Sequence, residues 1–504
     1  MQHYALLNGA YTNETLYDLK PVRAEGTYLY NKQNRKYLDL RSGLWNTSLG
    51  YEKVLYQQVS DKFTQILEQR LPYIDIHSFQ HDSYDEVAQK LLQLTGKAFK
   101  RVIYTNSGSE NTELALKIAD YLNKKSSKNR ILAFKDSYHG TFFGGVSVSG
   151  IDQEINTSFY PKYGDVTFLD YPKNTKDERR ILDELEGIAG RYDVMVIEPI
   201  LASAGVYYAS TDFFNKLLQI LRENQVITVF DEVATGFFKT GMPFFFQHLS
   251  EVPDLLCLSK ALNNGITAFG CVCVKEELDN KLQKSTRTKE HFSTQNGNLL
   301  GMVSADTVLD YYLKEKNSIE DSVKCISKSV QDIFDAQSIH YRNIGVMTSV
   351  RTAPGHAIQL VKELEKLGIL AYLYINDDEE GLSIMPPFTI DKAVLEKTLT
   401  MIAKKVLKHQ QALIENIGEQ YRYVPTLTLK PETIPLNVKI ILIGSPIFYK
   451  VLTYDEDFRK LFKVKVDFDI NMERNEENIR KYVSFISSIC EETGILHFDR
   501  TGLG

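Results

Sequence analysis

The chain has few cysteines, a single tryptophan and no long apolar segment. Its five cysteines among 504 residues are odd in number and irregularly spaced, which argues against a disulfide framework. No apolar run approaches the roughly 20 residues that a membrane-spanning helix needs. The net charge of −6 is small, so neither a nucleic-acid partner nor a membrane partner is expected. Because no basic segment precedes an apolar one at the N-terminus, we predict a cytoplasmic protein.

Two of the cysteines, Cys271 and Cys273, fall two residues apart on a predicted strand and therefore face the same side of it. A metal site is one interpretation of this spacing. Buried thiols in a reducing compartment are the favoured interpretation, and we predict no metal ion.

The middle of the chain alternates between short apolar runs and amphipathic segments. The composition, 43% apolar and 25% charged, is that of an ordinary globular chain. Between about residues 100 and 275 the alternation predicts an α/β domain, with a parallel or mixed sheet covered by helices on both faces. The predicted strands are Val102–Tyr104, Arg130–Phe134, Val194–Ile197, Val226–Phe230 and Leu255–Leu258.

The flanking segments predict smaller structures. Residues 26–30 and 37–40 surround a polar stretch and predict a β-hairpin. Residues 82–100 predict a helix, and further helices are predicted near 302–315 and 391–409. We therefore divide the chain into the N-terminal part of a small domain (1–60), a large domain (61–315), a C-terminal small α+β domain (316–410) and an appended α/β segment (411–504).

Two ionic residues stand at the ends of predicted strands, where a charge is costly to bury. Asp231 follows the run Val226–Phe230, in which four of five residues are apolar, and Lys260 comes shortly after four apolar residues. Ligands in an open α/β sheet bind outside the carboxyl ends of the strands, so both side chains are expected near one pocket. A lysine amine can condense with an aldehyde, and a buried carboxylate can hold a pyridine nitrogen protonated. Taken alone, Asp231 also fits a helix cap, and Lys260 a solvated strand end.

Weaker candidates follow other strands. The segment Asn106–Asn111 opens a helix and predicts either an anion cup or a simple N-cap. Tyr138 is an aromatic side chain that could stack on a cofactor ring, although a Tyr138-His139 pair is more often part of a core. Glu198 ends a strand and could merely cap the next helix. Thr294 could donate its hydroxyl to a phosphate, but this residue taken alone does not indicate a phosphate site.

Four segments, taken together, have an order and spacing typical of a known family. They are Gly43–Tyr51, Phe230–Gly241 continuing to Lys260, Tyr341–Met347 and Met385–Phe388. Over residues 26–403 the chain resembles the class III, omega-type pyridoxal-phosphate aminotransferases. The resemblance implies a pyridoxal-phosphate fold of type I, with pyridoxal 5'-phosphate as cofactor. It also implies transfer of an amino group from an amine or amino-acid donor to an oxo-acid acceptor.

The resemblance assigns roles to particular residues. Lys260 would form the Schiff base with the cofactor, and Asp231 would bind its pyridine nitrogen. Thr294 of the partner subunit would join the phosphate site, which implies a homodimer. The remaining implied positions are Gly108 and Ser109 at the phosphate, Val233 and Tyr138 on the two ring faces, His139 and Glu198 as further cofactor-binding residues, and Trp45 in the substrate pocket.

One departure from the family concerns substrate recognition. Many members carry an arginine near the Pro386-Pro387 landmark that grips a substrate carboxylate, but no arginine occurs between Arg351 and Arg422. Arg41 and Lys362 are candidates to replace it. The departure favours an amine donor, and leaves an amino-acid epimerase on the same scaffold as an alternative.

The tail, from about residue 415 to residue 503, resembles part of the ATPase domain of Lon-related ATP-dependent proteases. A strand is predicted at 438–443 and a helix at 476–491, and Arg459 falls where that family places a trans-acting arginine. The sequence contains no G-x-x-x-x-G-K-[ST] phosphate loop, so ATP hydrolysis or proteolysis by this chain alone is not expected. A non-catalytic partner of an AAA+ protease, docked through the tail, is the remaining alternative.

Overall fold

The computed structural model describes residues 16–76, 78–122, 130–151, 164–284, 291–376, 378–410 and 484. The chain forms two compact units, Met1–Pro435 and Leu436–Gly504. The strand predicted at 438–443, Arg459 and, apart from Ser484, the helix predicted at 476–491 lie outside the described residues.

The first unit is built around a seven-stranded mixed sheet with the order β4-β12-β11-β10-β7-β5-β6. All five predicted strands belong to it, and all its strands are parallel except β12, which runs antiparallel to both β11 and β4. The strands are β4 (Arg101–Thr105), β5 (Arg130–Phe134), β6 (Asp165–Leu169), β7 (Val194–Ile197), β10 (Ile227–Asp231), β11 (Leu255–Leu258) and β12 (Gly270–Val274).

Both faces of this sheet are covered. Val194 and Val196 of β7 pack into one apolar cluster, whereas Met195 and Ile197 pack into the other. Because successive side chains of a strand point to opposite faces, the two clusters are the two faces of the sheet. Cys271 and Cys273 lie in the same cluster, as their spacing predicts, and both are free buried thiols.

Helices surround the sheet, and several begin at side-chain caps. Asn174 accepts hydrogen bonds from the backbone N–H groups of Lys176 and Asp177, and Ser210 accepts one from Phe213. The described helices before residue 315 are α1 (Lys53–Glu68), α2 (Asp82–Leu94), α3 (Gly108–Leu122), α4 (Phe143–Val148), α5 (Thr175–Ile188), α6 (Thr211–Glu223), α7 (Glu276–Lys284) and α8 (Leu299–Lys314), with 3-10 turns at Ala189–Arg191, Phe245–His248 and Lys260–Asn263.

Helix α2 is shorter than the prediction of 82–100. It ends at Leu94, because Gly96 and Lys97 both adopt positive φ angles that a right-handed helix cannot contain. None of the helices in the described ranges is long and apolar enough to cross a membrane.

Among the described residues, three smaller sheets complete the first unit, and one of them joins a segment near the N-terminus to one from far along the chain. The predicted hairpin is present as β2 paired with β3, and β3 also pairs in parallel with β15 from far along the chain. The sheets have the orders β1-β2-β3-β15, β13-β14-β17-β16 and β8-β9. Their elements are β1 (Pro21–Glu25), β2 (Tyr28–Asn31), β3 (Lys36–Asp39), β8 (Ile200–Leu201), β9 (Tyr207–Tyr208), β13 (Tyr341–Ile344), β14 (Met347–Arg351), β15 (Ile369–Leu370), β16 (Tyr372–Ile375) and β17 (Glu380–Ile384), with helices α9 (Lys316–Ala336), α10 (Ala357–Lys366) and α11 (Lys392–Gln410).

Residues Ser42–Trp45, just after β3, form a left-handed turn. Their φ angles are 47°, 56°, 62° and 68°. Only Gly43 lacks a Cβ atom, and a left-handed conformation costs about 1–2 kcal/mol for each of the other residues. Such a conformation persists only where the surrounding structure enforces it.

Candidate active site

A cavity opens at the carboxyl ends of β10 and β11 and at the beginning of α3. Of the ten residues to which the sequence gives site roles, it brings together all but Thr294, namely Trp45, Gly108, Ser109, Tyr138, His139, Glu198, Asp231, Val233 and Lys260. The lining also includes residues to which the sequence assigns no individual role, namely Ser107, Gly140, Ser203, Ala234 and Ser259.

Lys260 is the first residue of the 3-10 turn that follows β11, and it has a positive φ of 47°. Its Nζ atom lies 4.5 Å from the centre of the Trp45 ring, and it has no hydrogen-bond partner among the described residues. Burial lowers the pKa of Lys260 below its ordinary value, although the Asp231 and Glu198 carboxylates act in the opposite direction. The amine is therefore neutral, and so nucleophilic, more often than a surface lysine.

Asp231 is the last residue of β10 and is almost fully buried. Its Oδ2 atom lies 2.9 Å from Nδ1 of His139, and its Oδ1 atom accepts a hydrogen bond of 3.1 Å from the backbone N–H of Val233. The second ring nitrogen of His139 is buried and has no partner among the described residues. The imidazole thus fixes the orientation of the Asp231 carboxylate in the cavity.

Glu198 follows β7 and is buried beside Asp231. Its two oxygens accept hydrogen bonds from the backbone N–H groups of Tyr138, at 2.9 Å, and Ala202, at 3.2 Å. Burial, reinforced by Asp231, raises the pKa of Glu198 to about 8, against the opposing effect of the two N–H donors and Lys260. Glu198 therefore holds a proton near neutral pH while it anchors the backbone that carries the Tyr138 ring.

At the start of α3, neighbouring segments pack so closely that two glycines have no room for a side chain. A Cβ atom on Gly108 would lie 2.8 Å from Cγ1 of Val233, and one on Gly140 would collide with the Ser109 hydroxyl. Gly140 also has a φ of 94°, which side chains rarely tolerate. Because the first N–H groups of a helix have no intrahelical partner, this end of α3 is suited to an anion.

Thr294 is exposed and is not part of the cavity lining of its own chain. Its segment is fixed by a polar network at the start of α3. Asn106 Nδ2 donates to the Asn296 side chain at 2.5 Å, and the Asn106 backbone N–H donates to Glu110 at 2.9 Å. His291, three residues before Thr294, lies 3.3 Å from the same Glu110 carboxylate.

The two candidates for carboxylate recognition lie outside the cavity lining. The Arg41 guanidinium lies 3.5 Å from Asp39 and stacks over the Tyr17 ring at 4.8 Å. Lys362 is exposed on α10. Within the described part of the chain, the cavity therefore has no guanidinium group in its lining.

The cavity fits pyridoxal phosphate by its donor set. It combines a primary amine of lowered pKa, an oriented carboxylate and a helix start that favours an anion. These groups match the aldehyde, the ring nitrogen and the phosphate of that cofactor.

Two family models match the chain. The model of the aminotransferase class-III family covers residues 10–406, and that of the LonB-like AAA domain covers residues 389–469. The second match confirms the Lon-like resemblance of the tail, most of which lies outside the described residues.

Curated relatives are aminotransferases. The acetylornithine aminotransferase of Streptococcus mutans is 27% identical over 411 residues, which are 80% of this chain and 100% of the relative. The omega-aminotransferase of Caulobacter vibrioides is 25% identical over 412 residues, which are 76% of this chain and 92% of the relative.

Solved structures share the fold. The (S)-enantioselective omega-transaminase from Thermomicrobium roseum matches with a TM-score of 0.72 and 23% identity, over 80% of this chain and 96% of that one. A transaminase from Virgibacillus matches with the same TM-score and 21% identity, over 78% and 94% of the two chains. These likenesses confirm the predicted pyridoxal-phosphate fold of type I. With the match over residues 10–406, they show that the chain belongs to the aminotransferase class-III family and is a pyridoxal 5'-phosphate-dependent transaminase.

Proposed function

We propose that Lys260 is the residue to which the cofactor is bonded and that Asp231 faces the pyridine nitrogen. The observation that supports this most strongly is the Lys260 amine itself, which lines the cavity with a lowered pKa and without a hydrogen-bond partner in the described residues. Pyridoxal phosphate supplies an aldehyde that bonds to amines and a ring that takes up the electron pair released at the substrate carbon. Asp231, held by His139, stabilises a protonated ring nitrogen. Once a substrate amine replaces it on the cofactor, the freed Lys260 Nζ would accept the proton of the substrate carbon and deliver it to the cofactor, so that the amino group stays behind on the cofactor.

The remaining cofactor contacts follow from the same cavity. We assign the phosphate to Gly108 and Ser109, and the two faces of the ring to Val233 and Tyr138. Glu198 supports the Tyr138 face through its hydrogen bond to the Tyr138 backbone. In this arrangement Trp45, which lies over Lys260, borders the space for the substrate.

The amino donor is proposed to react through a terminal amine rather than an α-amino group. The described lining presents the Trp45 and Tyr138 rings and the Glu198 carboxyl around Lys260, and neither Arg41 nor Lys362 is part of it. A carboxylate beside the reacting carbon would find no guanidinium in that lining. The names of the relatives, such as acetylornithine aminotransferase and omega-aminotransferase, are in keeping with this class of donor.

A homodimer is proposed, with Thr294 completing the phosphate site of the partner subunit. Thr294 is exposed, and its segment is nevertheless tied to the start of α3 through Asn106. Large apolar side chains are also exposed at Tyr73, Phe79 and Phe143, as expected for surfaces that a second subunit covers.

We further propose a cytoplasmic location and retain the four-part domain division. The free thiols Cys257, Cys271 and Cys273 and the exposed free Cys325 suit a reducing compartment. The pairing of β3 with β15 supports one small domain made from residues 1–60 and 316–410. The large domain is then 61–315, and the appended segment is 411–504.

The decisive experiment for Lys260 combines a visible spectrum with peptide mapping. The protein loaded with pyridoxal phosphate is expected to show a visible band that bleaches with terminal amines, and borohydride reduction should fix the cofactor on Lys260. Lys260→Ala should show neither the reduced adduct nor turnover, whereas the exposed control Lys281→Ala should show both. Labelling of another lysine, or full turnover by Lys260→Ala, would refute the assignment.

Mixed dimers test the shared phosphate site. A Thr294→Ala chain lacks the proposed hydroxyl but keeps Lys260, whereas a Lys260→Ala chain keeps Thr294. If Thr294 serves the partner, a dimer of the two variants contains one intact site and regains half of the activity of one wild-type dimer. If the mixture has only the summed activity of the two separate variants, with subunit exchange verified by mass, Thr294 acts within its own chain or not at all.

A further inference from the structure

We infer that the buried Asp39 carboxylate is a positioning residue, which sets the Trp45 indole over the Lys260 amine by holding residues 42–45 in the left-handed turn. The functional meaning of this placement rests on the proposed role of Lys260. The conformational part, that Asp39 holds the turn, stands without it.

The Asp39 side chain contacts the backbone of the residues that lead into the turn. Its Oδ1 atom accepts a hydrogen bond of 3.1 Å from the N–H of Arg41, and its Oδ2 atom accepts one of 2.8 Å from the N–H of Gly43. The Tyr51 hydroxyl donates to Oδ2 at 2.7 Å. Both oxygens of a fully buried carboxylate are thus used, and two of the three donors belong to the chain that enters the turn.

Asp39 is itself fixed before the turn begins. It ends β3, donates its own N–H to the Thr27 carbonyl at 2.9 Å and is paired with Leu370 of β15. The turn has other contacts, such as the bond of 2.6 Å from the Ser42 hydroxyl to the Met385 carbonyl. Among the described side chains, Asp39 is the one that accepts hydrogen bonds from both the Arg41 and the Gly43 N–H groups.

The turn ends at Trp45, and its backbone conformation determines where the Trp45 side chain lies. Only 3% of it is exposed, its ring centre lies 5.0 Å from that of Tyr372, and Lys260 Nζ lies 4.5 Å from its ring centre. If residues 43–45 relaxed to negative φ angles, the Cα–Cβ bond of Trp45 would point in another direction. The indole would then leave one wall of the cavity open to water and lose its attraction for the ammonium form of Lys260.

Trp45 is the single tryptophan of the chain, so its fluorescence reports on this wall without background. In Asp39→Asn the amide keeps one acceptor and turns an N–H₂ group toward a backbone or hydroxyl donor. We expect acrylamide to quench Trp45 more strongly in this variant than in the wild type, and its emission to shift to the red. Asp193→Asn is the matched control, because Asp193 is equally buried and accepts from the Arg130 backbone N–H at the far end of the strands.

A second substitution separates the turn from other effects of Asp39. Leu44 is 48% exposed and has a φ of 62°, so Leu44→Gly lowers the cost of the left-handed conformation and removes little packing. The double variant Asp39→Asn/Leu44→Gly should regain the quenching protection of the wild type, even if Asp39→Asn alone folds poorly.

The outcomes separate this inference from the proposed function. Wild-type quenching in Asp39→Asn, or no recovery in the double variant, overturns the role of Asp39. Absence of the visible cofactor band in every variant would overturn the role of Lys260, while the quenching comparison on the cofactor-free protein still decides the role of Asp39.

Discussion

Replacement of Glu198 by glutamine should remove a specific pH dependence of stability. Burial raises the pKa of this carboxyl from 4.5 to about 8 in the folded protein. A folded-state pKa above the unfolded value means that the folded protein binds the proton more tightly. The resulting stabilisation is therefore complete below pH 4.5 and is lost progressively as the pH rises through 8.

The magnitude follows from the two pKa values. Applied to a single site, the linkage relation gives a loss on the order of 3 kcal/mol between about pH 5 and about pH 8. In Glu198→Gln this loss should be absent, because the amide does not titrate. The variant is expected to be less stable than the wild type at low pH, since it also loses one acceptor for the N–H groups of Tyr138 and Ala202.

The assay is urea-induced unfolding of the cofactor-free protein across this pH range, followed by far-ultraviolet circular dichroism. The unfolding free energy of the wild type minus that of Glu198→Gln should fall by about 3 kcal/mol from pH 5 to pH 8, whereas the same difference for the exposed control Glu186→Gln should stay constant. A difference that stays constant from pH 5 to pH 8 would refute the assignment of a protonated Glu198.

Two further predictions concern the proposed phosphate site and a buried lysine outside the cavity lining. Gly140→Ala places a methyl group against the Ser109 hydroxyl and should weaken cofactor affinity by about tenfold or more, measured by equilibrium dialysis, and wild-type affinity would contradict the proposed phosphate site. Burial, with Lys260 nearby, lowers the pKa of Lys239 to about 7, so the wild type loses stability as the pH falls from 10.5 through 7. Lys239→Met should thus be about 2–3 kcal/mol more stable than the wild type at pH 7, with a difference that shrinks toward pH 10, and a pH-independent difference would count against this reasoning.

The sequence predicts those features of the site that a local pattern encodes. Asp231 ends one apolar strand and Lys260 comes two residues after another, and the parallel order of β10 and β11 brings their carboxyl ends together. The neighbours of these residues depend on turns that sequence patterns describe poorly. Gly140 lies close to Ser109 with a φ of 94°, and Ser203 reaches the cavity on the turn between β8 and β9.

The fold, like the site, has features that the sequence predicts and features that it does not. The apolar run that becomes β12 predicts a buried strand, but nothing in the run encodes its antiparallel direction between β11 and β4. The left-handed turn at 42–45 is also hidden in the sequence, because three of its four residues carry a Cβ atom and would individually favour negative φ. The sequence likewise does not reveal that the Arg41 guanidinium lies beside Asp39 and over the Tyr17 ring.

The pairing of β3 with β15 has a consequence for synthesis of the chain. Asp39 leaves the ribosome long before Leu370, its neighbour in the sheet. At about 5–20 residues per second, the edge of β3 that β15 covers stays unpaired for about 15–65 s. During that time the nascent chain exposes a strand edge that can pair with other molecules. We therefore expect chaperone contact during translation to protect this edge of β3.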